Sequence, residues 1–286
     1  MPTAEAHARA ALAGNPSDGY GGAVLALALP MFRAEVSVSP DPGGPVPELI
    51  AATLARFERD FGLEGGVYSW DTTIPRSVGL GGSSALIIAT LRALCELHGV
   101  DLAPSVMAEL ALSIERDDLG IAAGLQDRVA QSYGGLTFME FDDPPVYERL
   151  DPDFLPPLVV AWREHTAEHS GVVHNDLRSR FDAGDRTVHN AMRELAHLAR
   201  SAKVAVLAGD RAELARCADA SFDARARIMS LNPSHVEMVK LGRTAGAGVN
   251  YTGSGGAVIC VCSDAAHRDT VDGALRSGGC RTVRVG

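Results

Sequence analysis

Ile74-Pro75-Arg76-Ser77-Val78-Gly79-Leu80-Gly81-Gly82-Ser83-Ser84-Ala85 is the stretch on which the fold turns. A strand-like segment, Tyr68 to Ile74, leads into it. A helical pattern follows, from Ala85 through Leu86, Leu91, Leu94 and Leu97 to Gly99. Glycines let backbone approach a ligand closely, and the first N–H groups of a helix have no partner inside it. Those donors and the helix dipole stabilise an anion lying at the helix start. The other reading is a serine-capped helix after a flexible turn. Two widespread phosphate motifs are absent: no Lys-Ser or Lys-Thr follows the glycines, and the third glycine of the dinucleotide spacing is missing.

Upstream of the loop, Arg9 to Ala13 reads as a strand and Gly14 to Gly22 as a turn-rich loop. The apolar run from Ala23 reads as a second strand. Leu49, Ile50, Leu54, Phe57 and Phe61 predict a helix over Pro47 to Phe61, stopped by Gly62. Downstream, Pro104 suits the first turn of a helix reaching about Glu115, and Gly134-Gly135 precedes a strand, Leu136 to Phe141. The Pro-rich segment Asp142 to Pro157 is the candidate domain boundary, predicting domains 1–154 and 155–286. Beyond it the pattern gives strands at Leu158 to Trp162, Ala257 to Cys262 and Arg281 to Val285. Helices are predicted near Thr187 to Leu207, Arg211 to Leu231, from His235 and from Asp264. Strands and helices mixed in this way predict an α+β domain with helices on one face of a sheet.

At 286 residues, 46% of them hydrophobic, the chain can bury two moderate cores. A formal charge of −10 provides no basic field for a polyanion, so nucleic acid is not an expected partner. Met1 to Ala11 does not read as a secretory signal. The longest apolar run, Ala23 to Phe32, is broken by Pro30 and too short to cross a bilayer. No membrane partner and a cytoplasmic location are the expectations, and the sequence leaves oligomeric state open. The five scattered cysteines read as reduced, buried thiols.

Pro75-x-x-x-Gly79-Leu80-Gly81-Gly82-Ser83-Ser84-Ala85 resembles the central motif of the GHMP kinases, the family of galactokinase, homoserine kinase, mevalonate kinase and phosphomevalonate kinase. Arg9-x-x-x-x-Gly14-Asn15-Pro16-Ser17-Asp18 looks like that family's opening strand and substrate loop. Asn250-Tyr251-Thr252-Gly253-Ser254-Gly255-Gly256-Ala257 looks like its late glycine-rich loop, although alone it also suits a hairpin turn. The three occur in family order across nearly the whole chain. The segment Leu119 to Gly135, which contains Gln126-Asp127-Arg128, resembles specifically the glucuronokinase branch. So do Gly14 to Asp18, Ile74-Pro75-Arg76 and Ser170-Gly171-Val172-Val173-His174.

The resemblance implies a two-domain fold, with an N-terminal domain like ribosomal protein S5 domain 2 and a ferredoxin-like C-terminal domain, ATP and substrate lying in the cleft between them. It implies transfer of the ATP γ-phosphoryl group to the anomeric hydroxyl of D-glucuronate. Another sugar, mevalonate or homoserine is the next acceptor to consider, and a non-catalytic sugar or nucleotide sensor is the alternative of another class. By the same resemblance, Gly79, Leu80, Gly81, Gly82, Ser83, Ser84 and Ala85 bind the nucleotide. Asn15, Asp18, Gly253, Ser254 and Gly255 bind substrate, Asp127 is catalytic, and Ser84 and Glu115 hold Mg²⁺.

Mg²⁺ is a hard cation suited to a carboxylate, a hydroxyl and nucleotide phosphates. No lysine lies in the glycine loop, none clearly matches the lysine that some relatives place beside the catalytic Asp, and Arg128 is expected to point elsewhere. The plainer reading of Asp127 and Glu115 is that they cap helices or pair with Arg128 and Arg116 on a solvated face. A uronic acid also needs a cation for its carboxylate, ideally a bidentate arginine. Arg9, Arg76, Arg178 and Arg180 are candidates between which sequence does not choose. Separately, His165-Thr166-Ala167-Glu168-His169 fits a zinc-hydrolase pattern, but it follows a strand too closely for the helix that pattern needs.

Overall fold

A computed structural model describes residues 1–41, 44–163 and 170–286. Its contacts divide the chain into two units: Met1–Arg9, Ala28–Pro75 and Gly81–Gly134 in the first, and Ala10–Leu27, Arg76–Leu80 and Gly135–Gly286 in the second. The chain passes from one unit to the other inside strands β1 (Thr3–Ala13) and β2 (Ala23–Ser39), and again within the glycine loop.

In the first unit, β3 (Gly66–Thr72) pairs antiparallel with the distal half of β2, from Ala34 opposite Thr72 to Ser39 opposite Gly66. Helix α1 (Glu48–Phe61) buries Ile50, Thr53 and Phe57, one stripe of its surface, and ends on Gly62 at φ 67°, a left-handed conformation suited to glycine. Helix α2 (Gly82–His98) is different: every residue from Ser84 to Leu91 is buried, so it is an interior helix, closed by Gly99. Helix α3 (Pro104–Ser113) has Pro104 in its first turn and runs into a single wide π-turn, Ile114–Asp118, before α4 (Gln126–Tyr133). The predicted helix end near Glu115 is thus the point where the helix widens.

In the second unit, β4 (Leu136–Glu140) pairs with the proximal half of β2 and with β5 (Val146–Leu150). The Pro-rich segment therefore contains a strand. Pro144 and Pro145 precede it and Pro152 follows it, and β5 lies at a sheet edge, where prolines at the ends are tolerated. The remaining elements are β6 (Leu158–Trp162), α5 (Ser170–Asp182), α6 (Arg186–Ala208), α7 (Arg211–Ala226), α8 (Pro233–Thr244), β7 (Gly248–Tyr251), β8 (Ala257–Val261), α9 (Ala265–Ser277) and β9 (Arg281–Val285).

Side chains of Asp185, Asp210, Asn232 and Asp264 cap α6 to α9, accepting first-turn N–H groups that lack helical partners. The second sheet runs β7-β8-β6-β9, each strand antiparallel to its neighbours. In chain order that is 2-3-1-4, the split β-α-β arrangement of a ferredoxin-like domain. Phe222, Met238, Val239, Val271 and Leu275 pack from the helices onto Val159, Val249, Tyr251 and Cys260. The α+β expectation holds.

The five cysteines are free and buried. Among the described residues no helix is long and apolar enough to cross a membrane. The His165–His169 pattern lies outside the described residues.

Candidate functional site

In the first unit, four elements bring polar side chains to the start of α2. β1 supplies Arg9, α4 supplies Asp127, Arg128 and Gln131, the π-turn supplies Glu115, and α2 itself supplies Ser83 and Ser84. Arg9, only 3% exposed, donates from Nε to Asp127 Oδ1 at 2.6 Å. Arg128 donates from Nε to Glu115 Oε2 at 2.5 Å, adds a second bond from Nη2 to the same oxygen, and gives Nη1 to the Gly124 carbonyl at 2.7 Å. The same Nη1 lies 3.5 Å from Asp127 Oδ2. Ser83 donates its hydroxyl to Glu115 Oε1 at 3.1 Å. Glu115 is wholly buried, whereas the Asp127 side chain keeps 17% of its exposure, enough to meet a ligand.

The first turn of α2 has the open donors that the glycines predict for an anion site. Its N-cap is Gly81, at φ 75°, and no side chain caps it. The serine-cap alternative fails, because Ser84 turns its hydroxyl back to the Gly81 carbonyl at 3.1 Å. Gln131 donates to the same carbonyl at 2.8 Å and to His7 O at 2.9 Å, tying the loop to α4 and β1. The amides of Gly82, Ser83 and Ser84 are therefore left for an oxyanion.

In the second unit the three glycine-bearing segments lock onto one another. Asn15, 1% exposed, donates Nδ2 to Tyr251 O at 3.3 Å and Gly253 O at 3.4 Å, and its Oδ1 accepts from Asn250 Nδ2 at 3.0 Å. Arg225 of α7 donates to Gly253 O at 2.6 Å and Ser254 O at 3.1 Å, with its guanidinium 5.2 Å from the centre of the Tyr251 ring. Thr252 donates its hydroxyl to Gly79 O at 3.0 Å. Asp18 sits in a short 3-10 turn, Ser17–Tyr20, and is 9% exposed.

Asn15, assigned to substrate from the sequence, is thus a buried strut under the late loop. Asn15→Ala removes the two donations to Tyr251 O and Gly253 O and the acceptor of one Asn250 amide hydrogen, while Arg225 still holds Gly253 O. The expected loss is about 1–3 kcal/mol of stability, read by urea unfolding at constant m-value.

The family model of the GHMP kinase N-terminal domain matches residues 48–135. Glucuronokinase 1 of Arabidopsis thaliana is 34% identical over 90% of this chain and 84% of its own length. Probable glucuronokinase 2 of the same plant is 38% identical over 68% of this chain and 57% of its own. The chain is a GHMP kinase. It shares the fold of Streptococcus pneumoniae phosphomevalonate kinase, solved with phosphomevalonate and AMPPNP, at a TM-score of 0.80 over all of both chains and 15% identity. The kinase is an ATP-dependent phosphotransferase acting on an alcohol acceptor, with glucuronokinases as its relatives over most of the chain.

The metal assignment does not fit the residues as they lie. Mg²⁺ asks for accessible oxygens in near-octahedral geometry. Both oxygens of Glu115 already accept hydrogen bonds, one of them from a guanidinium, and Glu115 and Ser84 are each 0% exposed. Among the described residues no group of three or more His, Cys, Asp or Glu side chains is arranged to hold a metal. The serine at Glu115 is Ser83, because Ser84 faces back into the loop. Arg128 is the partner of Glu115, in a buried pair and not on the solvated face of the plainer reading.

Two further residues escaped the sequence. The sequence offers Arg9 only as a possible carboxylate ligand, yet it stands beside Asp127, where the sequence has no matching lysine. Arg225 lies mid-helix with no motif around it, and nothing local signals that it holds the late loop. Thiol chemistry is disfavoured: burial pushes Cys95 and Cys262 up to about 11 and Cys217 up to about 12, so these stay protonated at neutral pH.

Proposed function

We propose that this kinase phosphorylates D-glucuronate at its anomeric hydroxyl, giving the 1-phosphate. The Arg9–Asp127 pair beside the uncapped start of α2 carries the phosphoryl-transfer reading, and the 34% identity to a glucuronokinase over 90% of the chain supports the acceptor. Phosphoryl transfer needs a positioned oxygen and neutralised charge more than covalent help. On this reading the amides of Gly82 to Ser84 receive phosphate oxygens. Arg9 fixes the Asp127 carboxylate, and Asp127 takes or orients the proton of the sugar hydroxyl as its oxygen bonds to the γ-phosphorus and ADP departs. Gly253 to Gly255 and Asp18 are proposed to line the acceptor side, within the domains 1–154 and 155–286.

The acceptor's carboxylate requires a cation, and three of the four candidates are engaged. Arg9 holds Asp127. Arg178 donates to Gly19 O at 2.6 Å and lies 4.6 Å from the centre of the Tyr20 ring, and Arg180 binds Asp185 and the Ile228 carbonyl. Arg76 is exposed and, among the described residues, has no hydrogen bond or ion pair. Its neighbour Ser77 has φ 57°, a conformation uncommon in non-glycine residues and enriched at functional sites.

Purified protein with Mg·ATP and a panel of uronic acids, neutral sugars, mevalonate and homoserine tests the reading, with the phosphorylated position determined. Glucuronate turning over to a non-reducing 1-phosphate is the expected result, and failure with every uronic acid sinks it. In the same assay Arg76→Met should raise KM for glucuronate about 10- to 100-fold, the worth of one charge-assisted pair, with KM for ATP unchanged.

A further inference from the structure

Glu115 is a carboxylate with no exposed surface, and such a charge persists only when paired and hydrogen-bonded. Arg128, 4% exposed, does the pairing through two donors on Oε2, and the Ser83 hydroxyl takes Oε1. The backbone is fixed as well. Leu119 N donates to Ile114 O at 3.1 Å across the π-turn, and Ile121 N donates to Glu115 O at 2.7 Å, so the backbone that carries the carboxylate is held in place. A divalent cation on Glu115 would have to displace a guanidinium that already neutralises it, or sit beside that guanidinium at a repulsive distance.

We propose that Arg128 is the resident counter-cation of Glu115, and that Glu115 is a positioning residue, not a protein-borne metal ligand. It holds Arg128 with Nη1 3.5 Å from Asp127 Oδ2 and fixes the Ser83 hydroxyl at the start of α2. The divalent cation then arrives on the triphosphate of the nucleotide. This inference stands apart from the identity of the acceptor, since it concerns the protein before either substrate binds.

Mn²⁺ titration of the full chain without nucleotide, followed by the EPR signal of the free ion, tests it. The parent is expected to leave millimolar Mn²⁺ free, and Glu115→Gln should titrate identically. Adding ATP should bring Mn²⁺ onto the protein. Arg128→Met should create a nucleotide-independent site that disappears again in the Arg128→Met, Glu115→Gln double variant. Stoichiometric Mn²⁺ binding by the nucleotide-free parent, abolished by Glu115→Gln, overturns the proposal. So does a folded Arg128→Met protein that leaves Mn²⁺ free. Should that variant fail to fold, the parent and Glu115→Gln titrations still decide.

Discussion

Asp127→Asn should lower kcat by about 10²- to 10⁴-fold, the range lost when a positioned proton acceptor is removed, with KM for ATP near its parent value. The amide keeps the shape of the carboxylate and an oxygen for Arg9 Nε, now 2.6 Å away, so the geometry of the cluster survives while its charge does not. The change also leaves Arg9, buried to 3% exposure on β1, facing a neutral group. Removing one partner of a buried pair is destabilising. Urea unfolding measured beside the kinetics separates this penalty from the chemical one. A folded variant retaining kcat within a few-fold of the parent excludes Asp127 as the group that handles the hydroxyl proton.

Gly79→Ala should be nearly as damaging, for a steric reason. Gly79 has φ 72°, and a Cβ there would lie 2.6 Å from the Gly255 carbonyl oxygen and 3.1 Å from the Gly255 and Ser254 nitrogens. Those neighbours are backbone and cannot rotate away. Either the late loop moves, breaking the Thr252 hydroxyl bond to Gly79 O, or the phosphate loop does. A displacement of about 1 Å in a positioning element costs on the order of 100-fold in rate, and that is the loss expected in kcat/KM. Gly99→Ala is the control: its φ of 67° is equally unfavourable to alanine, but nothing lies within 4 Å of the added methyl. It should lose about 1 kcal/mol or more of stability from the left-handed backbone alone, with activity intact. Equal loss of activity in both variants would show that backbone strain, not collision with the late loop, governs the effect.

What could be read from the sequence was local. Helix α1 is bounded by its apolar spacing and by Gly62, and α2 by the glycine loop and Gly99, because stop signals and periodicity act within a few residues. The strands β6 and β9 fall at their predicted limits for the same reason. Missed were three short elements, β5 among prolines, the four-residue β7 running into the late glycine loop and the eight-residue α4; the 13-residue α5 was also missed, under the family match at Ser170 to His174. Too few residues of the three short ones carry a pattern. Family resemblance located Asp127 and Glu115 but not their partners. Those come from Arg9, 118 positions away, and Arg128, 13 positions away, and neither separation leaves a trace in local spacing. The same limit hides from the sequence that the Asn15 amide supports a loop more than 230 positions later.

That last separation bears on how the chain acquires its structure. Asn15 meets Tyr251 O and Gly253 O across 236 and 238 positions, and Asn250 returns to Leu12 O across another 238. The Gly14–Asp18 loop therefore stays unlatched until the residues near 250 have been made. Contacts of such range carry a large loop-closure cost and slow folding. Chains truncated before β7 should keep the α1–α2 pairing, yet leave the Gly14–Asp18 loop exposed to proteolysis. Making these bonds thus closes a ring of about 240 residues between β1 and β7.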